Sequence, residues 1–387
     1  MNIAFLLIQN LNPNAGGVQR STHKLAKLFK SNGHNVIVFS LSEHQKDKID
    51  NDINIYSLSK NKKVDLYKLK KTLVHHNISY LINQSGFSLK LTRMMIKVKK
   101  EIPLKLINTL RINPLNFIDN HEVFISVFLK NKGFSFFNNI FLRMLIVKYH
   151  KIKQAYELNY IISNIDSYVL LSESFKAELY EISSKLERHN RKIHAVGNPF
   201  SISKIIHKEL KKENAILFVG RLNIIQKRTD LLLQIWKELH QKLPNWEFWV
   251  VGEGHEKNNM IDFCKTNKLN RVKFFGQRDS NPFYEKAKIL HMTSAFEGFG
   301  NVLVEAQSNG CVPIMFNSYT AAQDIVLDYR TGFLVKPFEL NAFIDKTVEL
   351  TRSHQKLNEL SINGFEHSKN FSYDETYKKW KIILSSC

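Results

Sequence analysis

The stretch SAFEGFGNVLVEA, residues 294–306, carries the sharpest signal in this 387-residue chain. It places Glu297 before a Gly-x-Gly turn and Glu305 inside the apolar pattern that follows the turn. Glycines let backbone N–H groups approach a ligand closely, and the N-terminus of a helix attracts anions. The stretch therefore predicts a turn that receives an anion, with a carboxylate on either side that can accept hydrogen bonds from hydroxyl groups.

The pattern around this stretch predicts a parallel sheet in the second half of the chain. Short apolar runs, several of them ended by glycine, alternate with amphipathic helix patterns such as Thr229–Leu243 and Val302–Asn309. Such alternation is typical of doubly wound α/β domains. The predicted strands are Ala215–Val219, Trp246–Val251, Val272–Phe275, Leu290–Thr293 and Val312–Phe316.

The first half repeats this organisation. A buried strand at Ile3–Ile8, a glycine-containing loop, a helix at Val18–Asn32 and a strand at Asn35–Ser40 form a βαβ unit. Asn198-Pro199 is a plausible boundary between the halves, because the residue before proline is driven out of helical geometry. Further strands are predicted at Asp52–Tyr56, Tyr80–Asn83, Lys105–Thr109 and Ser167–Leu171.

Composition excludes several classes of protein. A hydrophobic content of 43% and a charged content of 24% are ordinary for globular proteins and exclude disorder and fibrous repeats. Cys264, Cys311 and Cys387 lack metal-ligand spacing, so a zinc module or a disulfide framework is not expected and a reducing compartment fits. The apolar N-terminus reads as a first strand rather than a signal peptide, and no apolar run approaches the ~20 residues of a membrane span.

The charge of the chain is strongly positive and unevenly distributed. The net charge is +21, and residues 1–200 hold 30 Lys and Arg against 14 Asp and Glu. An excess of this kind attracts anionic lipid, nucleic acid or an acidic substrate. The alternative is that many of these lysines lie on solvated helix faces.

The segment Phe117–Tyr160 mixes apolar and basic residues. This mixture suits an interfacial helix on an anionic membrane. The alternative is a domain helix whose apolar side is core and whose lysines face water. The basic residues of the segment are Lys130, Lys132, Arg143, Lys148, Lys151 and Lys153.

The sequence resembles the retaining family-4 glycosyltransferases of the GT-B fold over nearly the whole chain. The resemblance is carried by the stretch at 294–306 and by four further segments that occur in the same order. The segments are NAGGVQR at 14–20, VGRL at 219–222 followed by QKR at 226–228, VGEG at 251–254, and the closing segment Phe371–Trp380. The resemblance implies two Rossmann-like doubly wound domains that face each other across a cleft. It implies an acceptor-binding domain at 1–200, a nucleotide-sugar-binding domain at 201–370, and a C-terminal helix at 371–387 that returns to the first domain.

The resemblance also implies roles for individual residues. Arg221 and Lys227 would hold the donor diphosphate and stabilise the charge that builds on the leaving phosphate. Glu297 would bind the donor sugar, and Glu305 the ribose. The remaining donor-binding positions implied by the resemblance are Gly16, Gly17, Gly220, Arg278, Phe299, Gly300 and Asn301.

Two motifs of the chain differ from the pattern of the related enzymes. Related enzymes often have a histidine near residues 108–114, where this chain offers Arg111, which could serve a phosphate or the acceptor or could pair with a carboxylate. Asp50-Asn51-Asp52 matches the metal-binding Asp-x-Asp of another glycosyltransferase fold but lacks its context, so a solvated loop is expected. We therefore predict that the enzyme needs neither metal nor cofactor, with cations in place of the metal.

The resulting prediction is a retaining hexosyltransferase or other glycosyltransferase. The donor would be a nucleotide sugar, with UDP by analogy, and the acceptor a lipid-linked glycan of surface polysaccharide assembly, as in lipopolysaccharide or capsule. The protein would be cytoplasmic and peripheral at the inner face of the cell membrane. The alternatives are a soluble acceptor or an inactive scaffold; a nucleic-acid partner is not expected, because no module for one is recognised.

Overall fold

The computed structural model describes residues 1–13, 16–42, 52–60, 63–131, 140–202 and 212–387. The chain forms two compact units. Unit 1 combines Met1–Pro199 with Tyr373–Cys387, and unit 2 is Phe200–Ser372.

The centre of unit 1 is a parallel sheet built from continuous apolar runs. The strands of the main sheet are β1 Asn2–Leu7, β2 Asn35–Ser40, β3 Asn54–Ser57, β6 Tyr80–Asn83, β7 Lys105–Thr109, β8 Ser167–Leu170 and β9 Ile193–Ala195. Two further strands in the described residues, β4 Ser59–Lys60 and β5 Lys63–Val64, pair only with each other. These two form a hairpin, and the main sheet has the order β3-β2-β1-β6-β7-β8-β9 with all neighbours parallel. The order reverses between β1 and β6, and ligands of doubly wound folds bind at such reversals, beyond the carboxyl ends of the strands.

Amphipathic helices cover this sheet, and a 3₁₀ segment at Ser184–Lys192 precedes β9. Capping side chains begin two of the helices, because Asp65 accepts a hydrogen bond from the Lys68 backbone N–H and Ser88 accepts one from Leu91. The helices are α1 Gly17–Ser31, α2 Leu66–His75, α3 Leu89–Glu101, α4 Asn116–Asp119, α5 His121–Asn131, α6 Ile140–Asn164 and α7 Phe175–Ile182.

Unit 2 contains a six-stranded parallel sheet of the dinucleotide-binding type. Its strands are β10 Glu213–Val219, β11 Glu247–Val251, β12 Val272–Gly276, β13 Ala287–Met292, β14 Val312–Phe316 and β15 Phe333–Val335. The order is β12-β11-β10-β13-β14-β15, so the reversal lies between β10 and β13. This reversal predicts where unit 2 binds a ligand.

The helices of unit 2 pack on both sides of this sheet. Trp236 is fully buried and stacks on Phe248 with ring centroids 5.4 Å apart, which anchors one helix layer to the sheet. The helices are α8 Ile224–Lys227, α9 Thr229–Lys242, α10 Lys257–Thr266, α11 Asn281–Lys286, α12 Asn301–Ser308, α13 Ala322–Ile325, α14 Leu340–Arg352 and α15 His354–Ser368. A 3₁₀ turn, Lys369–Phe371, follows them.

The last helix, α16 Tyr373–Ser386, belongs to unit 1. Trp380 is buried against Phe29 of α1 in an edge-to-face contact with centroids 5.8 Å apart. The Tyr80 hydroxyl donates a 2.7 Å hydrogen bond to the Leu384 carbonyl. The core of unit 1 therefore includes side chains from both ends of the chain.

The structure confirms the prediction of an α/β chain with two Rossmann-like units. Among the described strands, β4, β5, β9 and β15 were not predicted from sequence. None of the described helices has the length and apolar character that crossing a bilayer requires.

Candidate active site

The loop after β10 is shaped by a capping asparagine. The Asn223 side-chain oxygen accepts hydrogen bonds from the backbone N–H groups of Gln226, at 2.8 Å, and Lys227, at 3.0 Å. This cap begins the single turn α8, and Arg228 ends it in a left-handed conformation with φ 48°. The cap and the left-handed residue together fix the direction in which Lys227 leaves the backbone.

A second set of hydrogen bonds joins this loop to the end of β13. The Thr293 hydroxyl donates to the Lys227 carbonyl at 2.8 Å, and the Ala295 backbone N–H donates to the Gln226 carbonyl at 2.7 Å. The two loops are therefore held together at the reversal of strand order. This attachment brings Lys227 and Glu297, 70 positions apart in sequence, into one site.

Lys227 and Glu297 form an ion pair at the centre of this site. The Lys227 Nζ lies 2.5 Å from Glu297 Oε1, and the two side chains are only 12% and 13% exposed. The Gln226 side-chain amide donates to the other carboxylate oxygen at 3.3 Å. A cation and a carboxylate on facing loops can act on two parts of one ligand, the cation on an anionic group and the carboxylate on hydroxyl groups.

The turn after Glu297 requires its second glycine. Gly300 has φ +89°, and a Cβ at this position would lie 2.2 Å from the Tyr319 hydroxyl oxygen. Burial and the neighbouring carboxylate of Glu297 raise the pKa of Tyr319 well above its usual value, so its hydroxyl stays protonated. Helix α12 begins directly after Gly300, at Asn301, and its first backbone N–H groups lie at this turn.

Glu305 lies one turn into α12. The buried Tyr284 hydroxyl donates a 3.2 Å hydrogen bond to Glu305 Oε2. Burial and the Glu305 carboxylate raise the pKa of Tyr284 well above its usual value, which keeps the donor protonated. Tyr284 therefore holds the Glu305 carboxylate in place.

A glycine pair packs the neighbouring strand ends against each other. A Cβ on Gly252, after β11, would lie 1.9 Å from the carbonyl oxygen of Gly220, after β10. A Cβ on Gly220 would in turn lie 3.0 Å from the Lys227 side chain. Without a Cβ at Gly252, the ends of β10 and β11 can approach each other closely. Without a Cβ at Gly220, there is room for the Lys227 side chain.

Two predicted cations of unit 2 lie outside the Lys227–Glu297 pair. Arg221 is exposed and forms no hydrogen bond or ion pair with another described residue. Arg278 is also exposed, and its guanidinium lies 5.7 Å from the centre of the Phe275 ring. Phe299, by contrast, is buried in the turn between Glu297 and α12.

The predicted residues of unit 1 lie at the start of α1 and after β7. Gly17 begins α1 and Gly16 precedes it in an extended conformation, while residues 14 and 15 of the same motif lie outside the described residues. Arg111 donates hydrogen bonds to two amide oxygens, Gln84 Oε1 at 2.6 Å and Asn198 Oδ1 at 3.0 Å. The carboxylate partner left open by the sequence is not found among the described residues.

The Asp-x-Asp motif falls mostly outside the described residues, which include Asp52 but not Asp50 or Asn51. Within the described ranges, no three His, Cys, Asp or Glu side chains come close enough together to hold a metal ion. The expectation that the enzyme needs no metal stays a prediction.

Sequence reasoning missed the residues that position the site. Asn223 carries a signal, because asparagine is a favoured residue at the N-cap of a helix. Thr293, Tyr284 and Tyr319 carry none, because their roles depend on contacts across 20 to 66 positions.

Comparison with solved structures identifies the fold. The chain superposes on HepE from Anabaena, solved in complex with UDP, with a TM-score of 0.75 and 18% sequence identity over 100% of both chains. The shared architecture is the GT-B fold of glycosyltransferases.

Comparison of sequences finds similarity to a glycosyltransferase family in unit 2. Residues 201–367 match the model of the glycosyl transferases group 1 family. An uncharacterised glycosyltransferase of Haemophilus influenzae is 25% identical over 374 residues, 96% of each chain. Residues 201–367, which are most of unit 2, are thus similar to the group 1 glycosyl transferases, and the fold of the whole chain agrees with that similarity.

Two relatives have more specific descriptions. The amylovoran biosynthesis glycosyltransferase AmsD of Erwinia amylovora is 28% identical over 203 residues, which is 50% of this chain and 56% of AmsD. A Campylobacter jejuni α-1,4-N-acetylgalactosaminyltransferase, named for a glycan-diphosphate-undecaprenol substrate, is 27% identical over 203 residues, 51% of this chain and 56% of that protein. The matches thus span just over half the length of these two relatives.

Proposed function

We propose that this protein transfers a sugar from a UDP-sugar to a hydroxyl of a lipid-linked glycan, with retention of anomeric configuration, during surface polysaccharide biosynthesis. The observation that carries the proposal is the Lys227–Glu297 pair at the strand reversal of unit 2. Departure of a nucleoside diphosphate builds negative charge, which preorganised cations offset.

In the proposed reaction, Lys227 and Arg221 bind the diphosphate, Glu297 accepts hydrogen bonds from the donor sugar and Glu305 from the ribose. The bond between the anomeric carbon and the diphosphate oxygen breaks, and a bond to the acceptor oxygen forms on the same face. The acceptor proton passes to the leaving phosphate oxygen. The proposal includes no metal and no cofactor, because the cations neutralise the leaving group.

The donor can be tested by thermal-shift titration with UDP, GDP, ADP and their sugar conjugates, beside a single-stranded oligonucleotide. A ligand at ~100 times its dissociation constant adds about 2.7 kcal/mol of stability. We expect stabilisation by uridine nucleotides that is lost in Lys227→Ala and kept in Lys273→Ala. Lys273 is the matched control, because it pairs with Glu247 at 2.8 Å near the opposite, amino-terminal edge of the same sheet.

Two outcomes would contradict the donor proposal. No shift with any nucleotide, together with a shift by the oligonucleotide, would contradict the transferase function. Equal shifts in Lys227→Ala and wild type would contradict the site assignment. Retention is tested separately by NMR, since the anomeric proton coupling of the first product distinguishes the two configurations.

The proposal of a lipid-linked acceptor rests on the names of two relatives and on the positive charge of unit 1. The Campylobacter relative is named for an undecaprenol-linked glycan, and AmsD for polysaccharide biosynthesis. Unit 1 carries most of the positive charge of the chain, which suits an anionic membrane surface. A soluble acceptor and an inactive scaffold are the alternatives.

We place the membrane contact on helix α6, as part of a peripheral location at the inner face of the cell membrane. Large apolar side chains on this helix are 62–76% exposed. Lys148 and Lys153 are exposed beside them, which suits an anionic headgroup layer. The exposed apolar residues are Ile140, Phe141, Met144, Leu145, Tyr149, Ile152 and Tyr156.

Liposome sedimentation tests this contact. We expect binding to vesicles with anionic lipid and weak binding to neutral vesicles, because the apolar face and the lysines act together. Phe141→Gln with Leu145→Gln should reduce binding about tenfold or more, since each buried apolar side chain contributes about 1.5–3 kcal/mol. Ile382→Gln, which changes an equally exposed apolar residue on α16, should bind as wild type does. Equal binding by all variants would place the membrane contact outside α6, and no binding to either kind of vesicle would favour a soluble acceptor.

A further inference from the structure

The carboxyl ends of β6 and β7 carry a buried polar cluster that the proposed chemistry does not use. Gln84 follows β6 directly, and Arg111 lies two residues beyond β7. The neighbouring side chains Asn83, Asn108 and Thr109 are also buried. Because β6 is adjacent to β1 at the strand reversal of unit 1, the cluster lies where doubly wound domains bind ligands.

The orientation of the Gln84 side chain is set by its hydrogen bonds. Gln84 Oε1 accepts from Arg111 Nε at 2.6 Å and from the Thr109 hydroxyl at 3.0 Å. Reversing the amide would place its NH₂ group against the Arg111 donor, so the oxygen must face Arg111. The Gln84 Nε2, on a side chain that is 2% exposed, has no hydrogen-bond partner in the described part of the chain.

Arg111 carries a second unsatisfied donor. Its Nε and Nη1 donate to the amide oxygens of Gln84 and Asn198, whereas its buried Nη2 has no partner among the described residues. The guanidinium and the Gln84 amide are joined by a 2.6 Å hydrogen bond, so the two free donors lie near each other. Two adjacent buried donors together need acceptor atoms.

In the part of the chain that the structure describes, no negatively charged side chain pairs with this cluster. Arg111 has only neutral amides as partners among the described residues. Burial lowers the pKa of Arg111 to about 10, so the side chain is still charged at neutral pH. A buried cation with no counter-charge costs free energy, and an anionic ligand offsets that cost.

From these contacts we infer that Arg111 and Gln84 form an oxyanion-binding subsite in unit 1, which takes a carboxylate or phosphate group of the acceptor. Arg111 Nη2 and Gln84 Nε2 donate to its oxygens. The anion is either a carboxylate of an acidic sugar or a phosphate of the diphosphate that links a glycan to its lipid. Assignment of this anion to the acceptor rests on the proposed function, whereas anion binding itself does not.

The test measures anion binding by the full chain, with isothermal titration calorimetry at constant ionic strength. The background variant is Arg221→Ala with Lys227→Ala, which removes the predicted diphosphate cations of unit 2. The probes are inorganic pyrophosphate and glucuronate, which represent the two sources of the anion. We expect at least one of the two probes to bind to the background variant at a single site.

Gln84→Glu is the decisive substitution. It supplies a carboxylate to Arg111 and removes the free amide donor, so it should weaken anion binding about tenfold or more while the protein stays folded. Arg111→Gln, a second variant, should have the same effect on binding. Binding of pyrophosphate alone would identify a phosphate, and binding of glucuronate alone a carboxylate.

A spectroscopic measurement keeps the inference testable if a variant fails to fold. The Arg111 Nε–H and Gln84 side-chain amide signals of the wild-type protein should shift in ¹⁵N–¹H spectra when the anion is added. No anion binding in the background variant, or binding that both Gln84→Glu and Arg111→Gln leave unchanged, would overturn the subsite. Neither result would affect the donor site, which is tested separately by UDP and Lys227→Ala.

Discussion

Each unit holds a partly buried cation beyond the carboxyl ends of its parallel strands, but the two units treat its charge differently. In unit 2, Lys227 faces the carboxylate of Glu297. In unit 1, Arg111 faces only the amides of Gln84 and Asn198 among the described residues. An internal pair neutralises itself until a ligand competes for it, whereas a cation held by amides keeps its full charge for a ligand.

The largest effect is expected from breaking the pair in unit 2. Lys227→Met and Glu297→Leu should each lower turnover at least about 100-fold, because each removes a group that contacts the donor in the proposed reaction. Each should also lower the free energy of unfolding by about 3 kcal/mol, because the remaining charge is left nearly buried and unpaired. The double variant should be as inactive but close to wild type in stability. Turnover assays and urea unfolding measure the two effects.

The double variant is the control that separates charge from packing. If it is no more stable than the single variants, packing rather than charge compensation holds Lys227 and Glu297 in place. Wild-type turnover in either single variant would remove the assignment of that residue.

An effect on stability, with no loss of turnover predicted, is expected from the glycines of the two units. Gly252→Ala should destabilise the protein by about 3 kcal/mol, because its Cβ would lie 1.9 Å from a backbone oxygen that cannot move aside. Gly17→Ala should leave stability within about 1 kcal/mol of wild type, since its Cβ would meet no atom within 4 Å. Denaturant unfolding measures both, and equal effects would contradict the described approach of the β10 and β11 loops.

The smallest effect concerns the loop that follows Arg111. The Glu178 carboxyl accepts hydrogen bonds from Asn113 and the Leu115 backbone, and burial raises its pKa to about 7. Folded protein therefore holds this proton at pH values where unfolded protein has lost it, so the group's contribution to stability falls as pH rises from about 4.5 to 7. Glu178→Gln should reduce this fall, by at most about 1.4 kcal/mol per pH unit.

The measurement is the free energy of unfolding of Glu178→Gln and wild type at several pH values between 4 and 8. Glu173→Gln, which changes an exposed carboxylate paired with Lys176, should leave the pH dependence as in wild type. Parallel curves for Glu178→Gln and wild type would show that this carboxyl titrates normally.

The same contrast explains how far the sequence predicts the site. Lys227 and Glu297 each lie in a sequence motif from which their roles were predicted. Their pairing, however, depends on the hydrogen bonds of Thr293 and Ala295 to the β10 loop. Arg111 stood out in sequence only as a departure from a resemblance. Its partners could not be predicted, because Gln84 and Asn198 lie 27 and 87 positions away.

The fold was more predictable than the site. Strands such as β1 and β11 are continuous apolar runs, and their burial on both faces is what such runs predict. The missed strands β9 and β15 have three residues each, too few to show a period. The missed strands thus form one edge of each sheet, whereas the opposite edge strands, β3 and β12, were predicted from sequence.

The C-terminal helix has a consequence for the order of synthesis. Unit 1 needs Trp380 and Leu384 to complete its core, yet a ribosome makes them only after all of Phe200–Ser372. During translation, Phe29 and its neighbours therefore lack their covering helix while the whole of unit 2 emerges. Unit 2 is continuous in sequence, so it can finish folding before unit 1. This holds even though synthesis of unit 2 starts only after the first 199 residues of unit 1 have been made.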